Sequence, residues 1–178
     1  MENFGDVIEM VDLLTIEAFT PHVDQYRSRI ARFGVKISKD VLLGQSLFCQ
    51  RIDRWKIDPH THNLPQIIQS MIYFPKPGSS EEQGTVLFRI KGQHTVPARE
   101  FATTRTFAPD TIERASILPY KPNCLVSFIN TPEAVHGTNQ IAGPARRYIF
   151  SCMSADVEIG TGDITIGHSR TEQLDRVG

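Results

Sequence analysis

Three histidines of this chain have the spacing of metal ligands. His60 and His62 lie two residues apart in the stretch IDPHTHN, and residues i and i+2 of an extended strand share one face about 7 Å apart. Their imidazoles could therefore converge on one ion. His136, in the stretch AVHGTN at the end of a predicted strand, is the best candidate for a third ligand. Imidazole suits iron, copper, nickel or zinc, so the pattern predicts a transition-metal centre.

The other residues considered as ligands fit this centre less well. Asp58 shares a face with His60 and His62, but an i to i+4 separation in a strand is about 13 Å, too far for Asp58 and His62 to bind one ion. We therefore expect Asp58 to support a ligand or to lie in a surface turn. The remaining histidines fall at a helix start, in a loop and in the tail, and are expected to be solvated: His22, His94 and His168.

The composition predicts one soluble globular domain. The chain has 178 residues, is 40% hydrophobic and carries a net charge of -1, which argues against a dedicated nucleic-acid surface. No apolar run is close to the length of about 20 residues that is needed to cross a bilayer, and the start of the chain lacks the features of a signal peptide. We therefore expect a cytoplasmic protein. Three widely spaced cysteines favour reduced, mostly buried thiols over a disulfide framework or a cysteine zinc site.

Helical periodicity is confined to the N-terminal region, residues 5 to 33. Pro21 should divide this region into two helices, with Thr20 as the N-cap of the second and Gly34 as its stop. We therefore divide the single domain, residues 1 to 178, into a helical part (1 to 35), a strand-rich core (40 to 157) and a polar tail (158 to 178).

The remainder of the chain consists of short apolar or alternating runs separated by Pro, Gly, Asn and Asp, a pattern that predicts many short strands. About eight strands without helices between them favour an antiparallel barrel or jelly roll over a parallel sheet. The predicted strands are 41 to 52, 55 to 62, 67 to 74, 84 to 90, 112 to 118, 124 to 129, 133 to 136 and 146 to 154.

Two polar segments are predicted as loops at the mouth of this barrel. Residues 75 to 84 form a long hairpin loop, and residues 91 to 106, rich in Thr, Arg and Lys, form a second, mobile loop. Cations in the second loop could favour an acidic substrate group: Lys91, Arg99 and Arg105. The tail is expected to be poorly ordered or to cover a sheet edge.

Four blocks of the sequence, in order, resemble the iron(II)- and 2-oxoglutarate-dependent oxygenases, particularly bacterial relatives of the prolyl-hydroxylase branch. The blocks are IDPHTH, QSMIYFPKPGSSEEQGTVLFR, LPYKPNCLVSFINTPEAVHGTNQ and RRYIFSC. In that family a His-x-Asp pair precedes an apolar strand, a Gly-Thr turn, a Pro-Asn-x-Leu-x-x-Phe strand, a second His and a basic residue. The match covers roughly residues 45 to 155. It implies a double-stranded β-helix, or jelly-roll, barrel, which agrees with the mainly β chain with N-terminal helices that the patterns above predict.

The resemblance also implies roles for particular residues. His60 and His136 match the two histidine ligands of iron(II), and Arg147 matches the basic residue that pairs with the distal carboxylate of 2-oxoglutarate. Arg146 competes for that role, because it fits a ten-residue spacing from His136 better and strand alternation sends the two arginines to opposite faces. Arg147 is preferred because it precedes the aromatic-apolar run as the family's arginine does. Further polar contacts to 2-oxoglutarate could come from Gln50, Ser70, Tyr73 and Thr138.

The chain departs from the family at the third ligand, since His62 stands where the pattern has Asp. Neutral imidazole in place of the carboxylate leaves a more positive metal centre. His62 also distinguishes the chain from the halogenating members of the family, in which a small residue at this position leaves room for halide. The predicted function is an iron(II)- and 2-oxoglutarate-dependent dioxygenase that hydroxylates a small molecule or a side chain. The sequence does not decide whether the chain forms a homo-oligomer.

Two alternative functions also stay open. A catalytically lapsed member of the family would keep the barrel as a metal-binding or ligand-binding module, which would account for the missing Asp. A cupin-type enzyme with a three-histidine metal site would use the His-x-His pair and a distant third His. Cupins also place a Glu a few residues after the pair, where this chain has Leu64, Pro65 and Gln66.

Overall fold

The helical region lies at the N-terminus, as its periodicity predicted. The computed structural model describes residues 4–37, 43–52, 55–141 and 143–167, and in this part of the chain the α-helices are α1 (Phe4–Phe19) and α2 (Val23–Ala31). A 3-10 turn that contains Pro21 separates them, which confirms the predicted break. Neither helix is long and apolar enough to cross a membrane.

The two ends of α2 differ in how well the sequence predicted them. Thr20 does not cap α2, because its hydroxyl donates to the carbonyl of Ile16 at 2.7 Å, so that prediction was wrong. Gly34 ends the helical region as predicted. It has a φ of +68°, which glycine adopts at low cost, and its N–H donates to the carbonyl of Ala31 at 3.0 Å.

The rest of the described chain consists mainly of short strands. In order along the sequence they are β1 (Val35–Ile37), β2 (Leu43–Arg51), β3 (His60–Thr61), β4 (Gln66–Tyr73), β5 (Thr85–Ile90), β6 (Gln93–Pro97), β7 (Arg105–Thr106), β8 (Ile112–Leu118), β9 (Leu125–Ile129), β10 (His136–Thr138), β11 (Arg146–Ser154), β12 (Val157–Ile159) and β13 (Asp163–Gly167). The chain is therefore mainly β with a helical N-terminal region, as predicted.

Two antiparallel sheets face each other and form a β-sandwich. One has the strand order β2-β11-β4-β9 and the other β7-β3-β10-β5-β8. Side chains from both sheets meet between them: Phe128 of β9 contacts His136 of β10 with ring centroids 4.6 Å apart. The hydroxyls of Tyr73 on β4 and Thr85 on β5 are hydrogen-bonded at 2.6 Å. The space between the sheets is therefore where side chains of both can form a site.

The helices cover the outer face of the four-stranded sheet. Tyr26 and Ile30 of α2 belong to a buried apolar cluster with Ile68 of β4 and Met153 of β11. Strand alternation sends the intervening residues of β4 and β11 to the inner face. Burial of this outer face therefore determines which side chains of the sheet point between the sheets.

Two segments differ from the strands and loops predicted for them. Of the predicted strand 55 to 62, only His60–Thr61 is a strand. The predicted mobile loop 91 to 106 instead contains β6, a 3-10 turn at Ala98–Ala102 and β7. Val96, Ala98 and Phe101 of this segment are buried and hold it in ordered structure, although its overall composition is polar.

The described part of the tail forms strands of two separate two-stranded sheets. β12 pairs with β1, and β13 pairs with β6, both antiparallel. These pairings place ordered strands where the sequence is Gly-rich and polar. The prediction for residues 168–178, including His168, lies outside the described residues.

Candidate metal centre

The three predicted ligand histidines meet in space. His60 on β3 and His136 on β10 are directly opposite each other in an antiparallel pair, and His62 follows the end of β3. One ligand atom from each of the three lies within 4.8 Å of the others. The cluster is therefore assembled by the register of two adjacent strands together with the turn that follows β3.

Each histidine has its Nδ1 atom next to an oxygen acceptor. Nδ1 of His60 lies 2.9 Å from the carbonyl of Asp58, and Nδ1 of His136 lies 2.9 Å from the carbonyl of Ala134. Nδ1 of His62 lies 3.2 Å from Oε1 of Gln66. Because a carbonyl oxygen can only accept, each Nδ1 carries the hydrogen and donates it. The lone pair of each imidazole is therefore on Nε2.

The Nε2 atoms of His62 and His136 are only 3.1 Å apart. With both hydrogens on Nδ1, two lone pairs face each other, an arrangement that a shared cation stabilises. Two nitrogens bound to one ion at about 2.1 Å each and near a right angle lie about 3 Å apart. The three imidazoles, each oriented by an outer acceptor as in protein metal sites, therefore fit a transition-metal ion.

Burial keeps two of these imidazoles neutral. Removal from water, with a smaller contribution from the neighbouring His60, lowers the pKa of His136 to about 3 and the pKa of His62 to about 4. Neutral imidazole is the form that ligates a metal. At pH 7 the buried part of the cluster is therefore ready to bind without releasing protons.

A buried asparagine holds the turn that carries His62. Asn130 is 1% exposed, and its Nδ2 donates to the carbonyls of His62 at 3.2 Å, Asn63 at 3.4 Å and Gln66 at 2.7 Å. A single side chain from beyond β9 thus ties both ends of the turn between β3 and β4. This attachment keeps His62 close to β10.

Gly137 allows the chain before β3 to approach β10. A Cβ atom at this position would lie 2.7 Å from the carbonyl oxygen of Ile57 and 3.3 Å from the backbone of Asp58 and Pro59. Real Cβ atoms do not approach backbone atoms so closely, so any larger residue would push the segment away. The close contact keeps His60 opposite His136.

Substituting Gly137 with alanine is expected to destabilise the protein by about 1–3 kcal/mol, since overpacked sites shift the backbone at that cost. It should also weaken metal binding, because the displaced segment carries His60. Urea unfolding and cobalt(II) titration measure the two effects. Gly162→Ala is the matched control, because a Cβ atom there meets nothing within 4 Å. Equal stability of the two variants would contradict this account of Gly137.

A cavity of about 220 Å³ lies between the two sheets next to the histidines. Its walls combine the three imidazoles with apolar side chains and a few polar ones. The lining residues are Leu47, Cys49, Arg51, Ile57, His60, His62, Gln69, Met71, Thr85, His136, Gly137, Thr138, Arg146, Tyr148 and Phe150. None of them is a carboxylate, so the two arginines and a bound metal would give this cavity a positive character.

Arg146 is buried in this cavity without a counter-charge. It is 1% exposed, and its guanidinium donates to Oγ1 of Thr85 at 3.2 Å and to the hydroxyl of Tyr73 at 3.4 Å. Within the described residues it has no carboxylate partner, and its Nε makes no hydrogen bond. Burying an unpaired charge costs several kcal/mol, and an anion in the cavity would offset that cost at Arg146.

Arg147, the residue preferred from the sequence, lies on the other face of β11. The side chains of β11 that line the cavity are Arg146, Tyr148 and Phe150, and alternation turns Arg147 away from it. The backbone N–H of Arg147 donates to the hydroxyl of Tyr120 at 2.7 Å. We therefore carry Arg146, the alternative, into the proposed site.

The other residues predicted to contact 2-oxoglutarate divide between the two faces. The hydroxyl of Tyr73 is hydrogen-bonded to Arg146 and to Thr85. Thr138 lines the cavity, and its hydroxyl accepts from the N–H of Ile57 at 2.8 Å. Ser70 is hydrogen-bonded to Ser127 at 2.9 Å, and Gln50 lies opposite Arg147 in the register. The roles of all four remain predictions.

Three residues that the sequence analysis did not count as ligands lie outside the cluster of histidines. The carboxylate of Asp58 is exposed and pairs with Lys56 at 2.9 Å, so only its backbone carbonyl contacts a ligand histidine. His22 is exposed. His94 is half-buried rather than fully solvated, and its Nε2 lies 2.8 Å from the carbonyl of Lys91.

The three cysteines are free thiols, as expected, but only Cys152 is buried.

A larger depression of about 810 Å³ lies between α2 and β9. Its lining includes Arg29 and Arg32 but no histidine, cysteine or carboxylate, so it offers no chemistry of its own.

Sequence patterns missed the polar residues that support the centre: Gln66, Gln69, Thr85 and Asn130. All four lie close in sequence to a strand end or a predicted strand. Their types alone carry no signal, because Gln, Thr and Asn are common at such positions for reasons of turn chemistry.

No family model matches this chain, and no curated protein matches it. Among solved structures the chain is similar to a prolyl-4-hydroxylase from Pseudomonas putida, with 14% sequence identity and a TM-score of 0.42. The likeness covers 76% of this chain and 63% of that one, so the chain spans somewhat less than two thirds of the length of that enzyme.

Proposed function

We propose that this chain is an iron(II)- and 2-oxoglutarate-dependent dioxygenase that hydroxylates a small molecule or a side chain. The observation that carries the proposal is the pairing of two features in one cavity. A cluster of three imidazoles fits a metal ion, and a buried arginine without a counter-charge fits a carboxylate. A cosubstrate that both chelates the metal and ends in a second carboxylate satisfies both.

The separation of the two features suits a short dicarboxylate. Arg146 is hydrogen-bonded to Thr85, and Thr85 lies opposite Thr138 in the register of β5 and β10. Thr138 is two residues from His136, which corresponds to about 7 Å along a strand. 2-Oxoglutarate can bridge such a distance with its keto-acid end at the histidines and its distal carboxylate at Arg146.

The residues around the cavity have separate tasks in this proposal. His60, His62 and His136 would hold iron(II), which when bound supplies the capacity to activate oxygen. Arg146 would bind the distal carboxylate, and the hydroxyls of Tyr73 and Thr85 would hold the guanidinium in place. Met71 and Phe150 form apolar walls that limit access of water to the site.

The two-sheet arrangement supports the jelly-roll barrel that the resemblance implies. Opposed antiparallel sheets of four and five strands, with the histidines between them, are the layout such a barrel requires. The cupin alternative also uses three histidines, but it gives the buried Arg146 no role. The lapsed-module alternative keeps its motivation, because His62 stands at the carboxylate position.

The proposal predicts that the protein converts 2-oxoglutarate to succinate when iron(II) and oxygen are present. Succinate formation by the metal-loaded protein is the measurement, with His136→Ala as the inactive control. His62→Asp, which restores the family's carboxylate, separates the two remaining functions. Turnover by the natural chain supports the dioxygenase. Turnover that appears only in His62→Asp would show that the natural chain is a lapsed member.

A further inference from the structure

The strand β4 begins with a bulge that redirects a side chain towards the metal centre. The residues on either side of Ile67 pair with consecutive residues of β11, so Ile67 is an extra residue in the ladder. Beyond the bulge, Gln69 and Met71 line the cavity, and simple alternation would turn residue 66 to the opposite face. The extra residue resets the alternation, and Gln66 reaches the same side as Gln69.

Gln66 and Gln69 form a short chain of hydrogen bonds that ends at His62. Oε1 of Gln66 lies 3.4 Å from Nε2 of Gln69 and 3.2 Å from Nδ1 of His62. Gln69 is fully buried, and its amide nitrogen donates to Gln66. In this arrangement the oxygen of the Gln66 amide faces His62, so Nδ1 is the protonated nitrogen and Nε2 is free to face His136.

His62 differs from the other two histidines in depending on a side chain for this orientation. The Nδ1 atoms of His60 and His136 each face a backbone carbonyl two residues earlier, an acceptor that no substitution removes. A carboxylate at position 62 would need no such acceptor, because it has no tautomers. The histidine found here therefore needs an outer acceptor, and the bulge brings the side chain of Gln66 to that position.

From this geometry we infer that Gln66 is a positioning residue that fixes the tautomer and ring orientation of His62 for metal ligation. The inference rests on the metal centre of the proposed function and extends it to a residue with no direct contact to the ion. Without the acceptor, His62 can place its hydrogen on Nε2, where it points at His136 and blocks ligation. The outer acceptor of a ligand imidazole is worth 10–100-fold in metal affinity, as an order of magnitude.

The turn itself does not depend on the side chain of Gln66. Asn130 holds this turn through the backbone carbonyls of His62 and Gln66, and the backbone of Gln66 pairs with β11. Gln66 is also only half-buried. Variants at this position are therefore expected to fold, and circular dichroism with thermal unfolding of the metal-free proteins checks that they do.

The test uses cobalt(II) alone as the probe, titrated by its visible absorption and by calorimetry. Gln66→Leu and Gln66→Met, which cannot accept, are expected to bind cobalt(II) about 10–100-fold more weakly than the natural chain, with a changed ligand-field spectrum. Gln66→Glu keeps an acceptor and adds a negative charge, so it should bind at least as tightly as the natural chain and restore its spectrum. Gln93→Leu, an exposed change on β6, is the matched control.

Each outcome decides between the inference and its alternatives. Equal affinity and an unchanged spectrum in Gln66→Leu and Gln66→Met would overturn the role of Gln66 while the metal centre stands. Weak binding in Gln66→Glu as well would overturn it too, since a merely structural need for glutamine would then explain the loss. Failure of the natural chain to bind cobalt(II) would overturn the metal centre and the inference with it.

Discussion

Replacing His136 with alanine is expected to lower metal affinity by more than the about 100-fold that loss of an outer acceptor costs, because it removes one of three ligands. His136 is also the most buried of the three, and its Nε2 lies 3.1 Å from that of His62. Calorimetric titration with cobalt(II) or iron(II) under anaerobic conditions measures the loss.

Thermal unfolding gives an independent measure of the same effect. A metal present at 100 times its dissociation constant stabilises a folded protein by about 2.7 kcal/mol if it binds the folded state alone. The natural chain should show this gain and His136→Ala should not. His94→Ala is the matched control, since His94 lies outside the cluster. Equal stabilisation of His136→Ala and the natural chain would refute the proposed centre.

The cluster of three histidines was predictable because strand geometry relates spacing to direction. The pattern His60-Thr61-His62 and the distant His136 were sufficient to nominate three ligands, and the structure brings all three together. The details that make the cluster were not readable from the sequence. His62 lies beyond the end of β3, and its approach to His136 depends on Asn130, which is remote in sequence.

The choice between the two adjacent arginines shows where pattern reasoning ends. Alternation correctly required that Arg146 and Arg147 lie on opposite faces, so one of them had to face the cavity. Which one depends on the side of β11 that packs against α2, and Met153 determines this by joining the outer apolar cluster. That packing is a tertiary contact, and no local pattern carries it.

The supporting side chains were unpredictable for a related reason. A bulge changes the face on which every earlier residue of a strand lies, and the bulge at Ile67 leaves no mark in the sequence. Similarly, the segment 91 to 106 has the composition of a loop, yet burial of Phe101 and Val96 holds it in ordered structure. Composition predicted the class of fold, whereas registers and bulges positioned the site.

Replacing Arg146 with methionine is expected to weaken 2-oxoglutarate binding strongly while the folded protein keeps or gains stability. Loss of one partner from a buried charge pair costs about 2–5 kcal/mol, which corresponds to a drop in affinity of roughly 30-fold to several thousand-fold. The metal-free, ligand-free protein has no such pair, because Arg146 has no carboxylate partner among the described residues. Removing an unpaired buried charge relieves a desolvation cost, so the free energy of unfolding should not fall.

These two opposite effects separate a ligand-binding arginine from a structural one. A structural arginine would lose stability on substitution, whereas the ligand-binding arginine loses only affinity. Calorimetry with 2-oxoglutarate on metal-loaded protein gives the affinity, and denaturant unfolding of the free protein gives the stability. Arg147→Met, on the opposite face of β11, is the matched control and should bind 2-oxoglutarate like the natural chain. The assignment fails if Arg147→Met loses binding and Arg146→Met retains it, because the anion would then bind outside the cavity that contains the histidines.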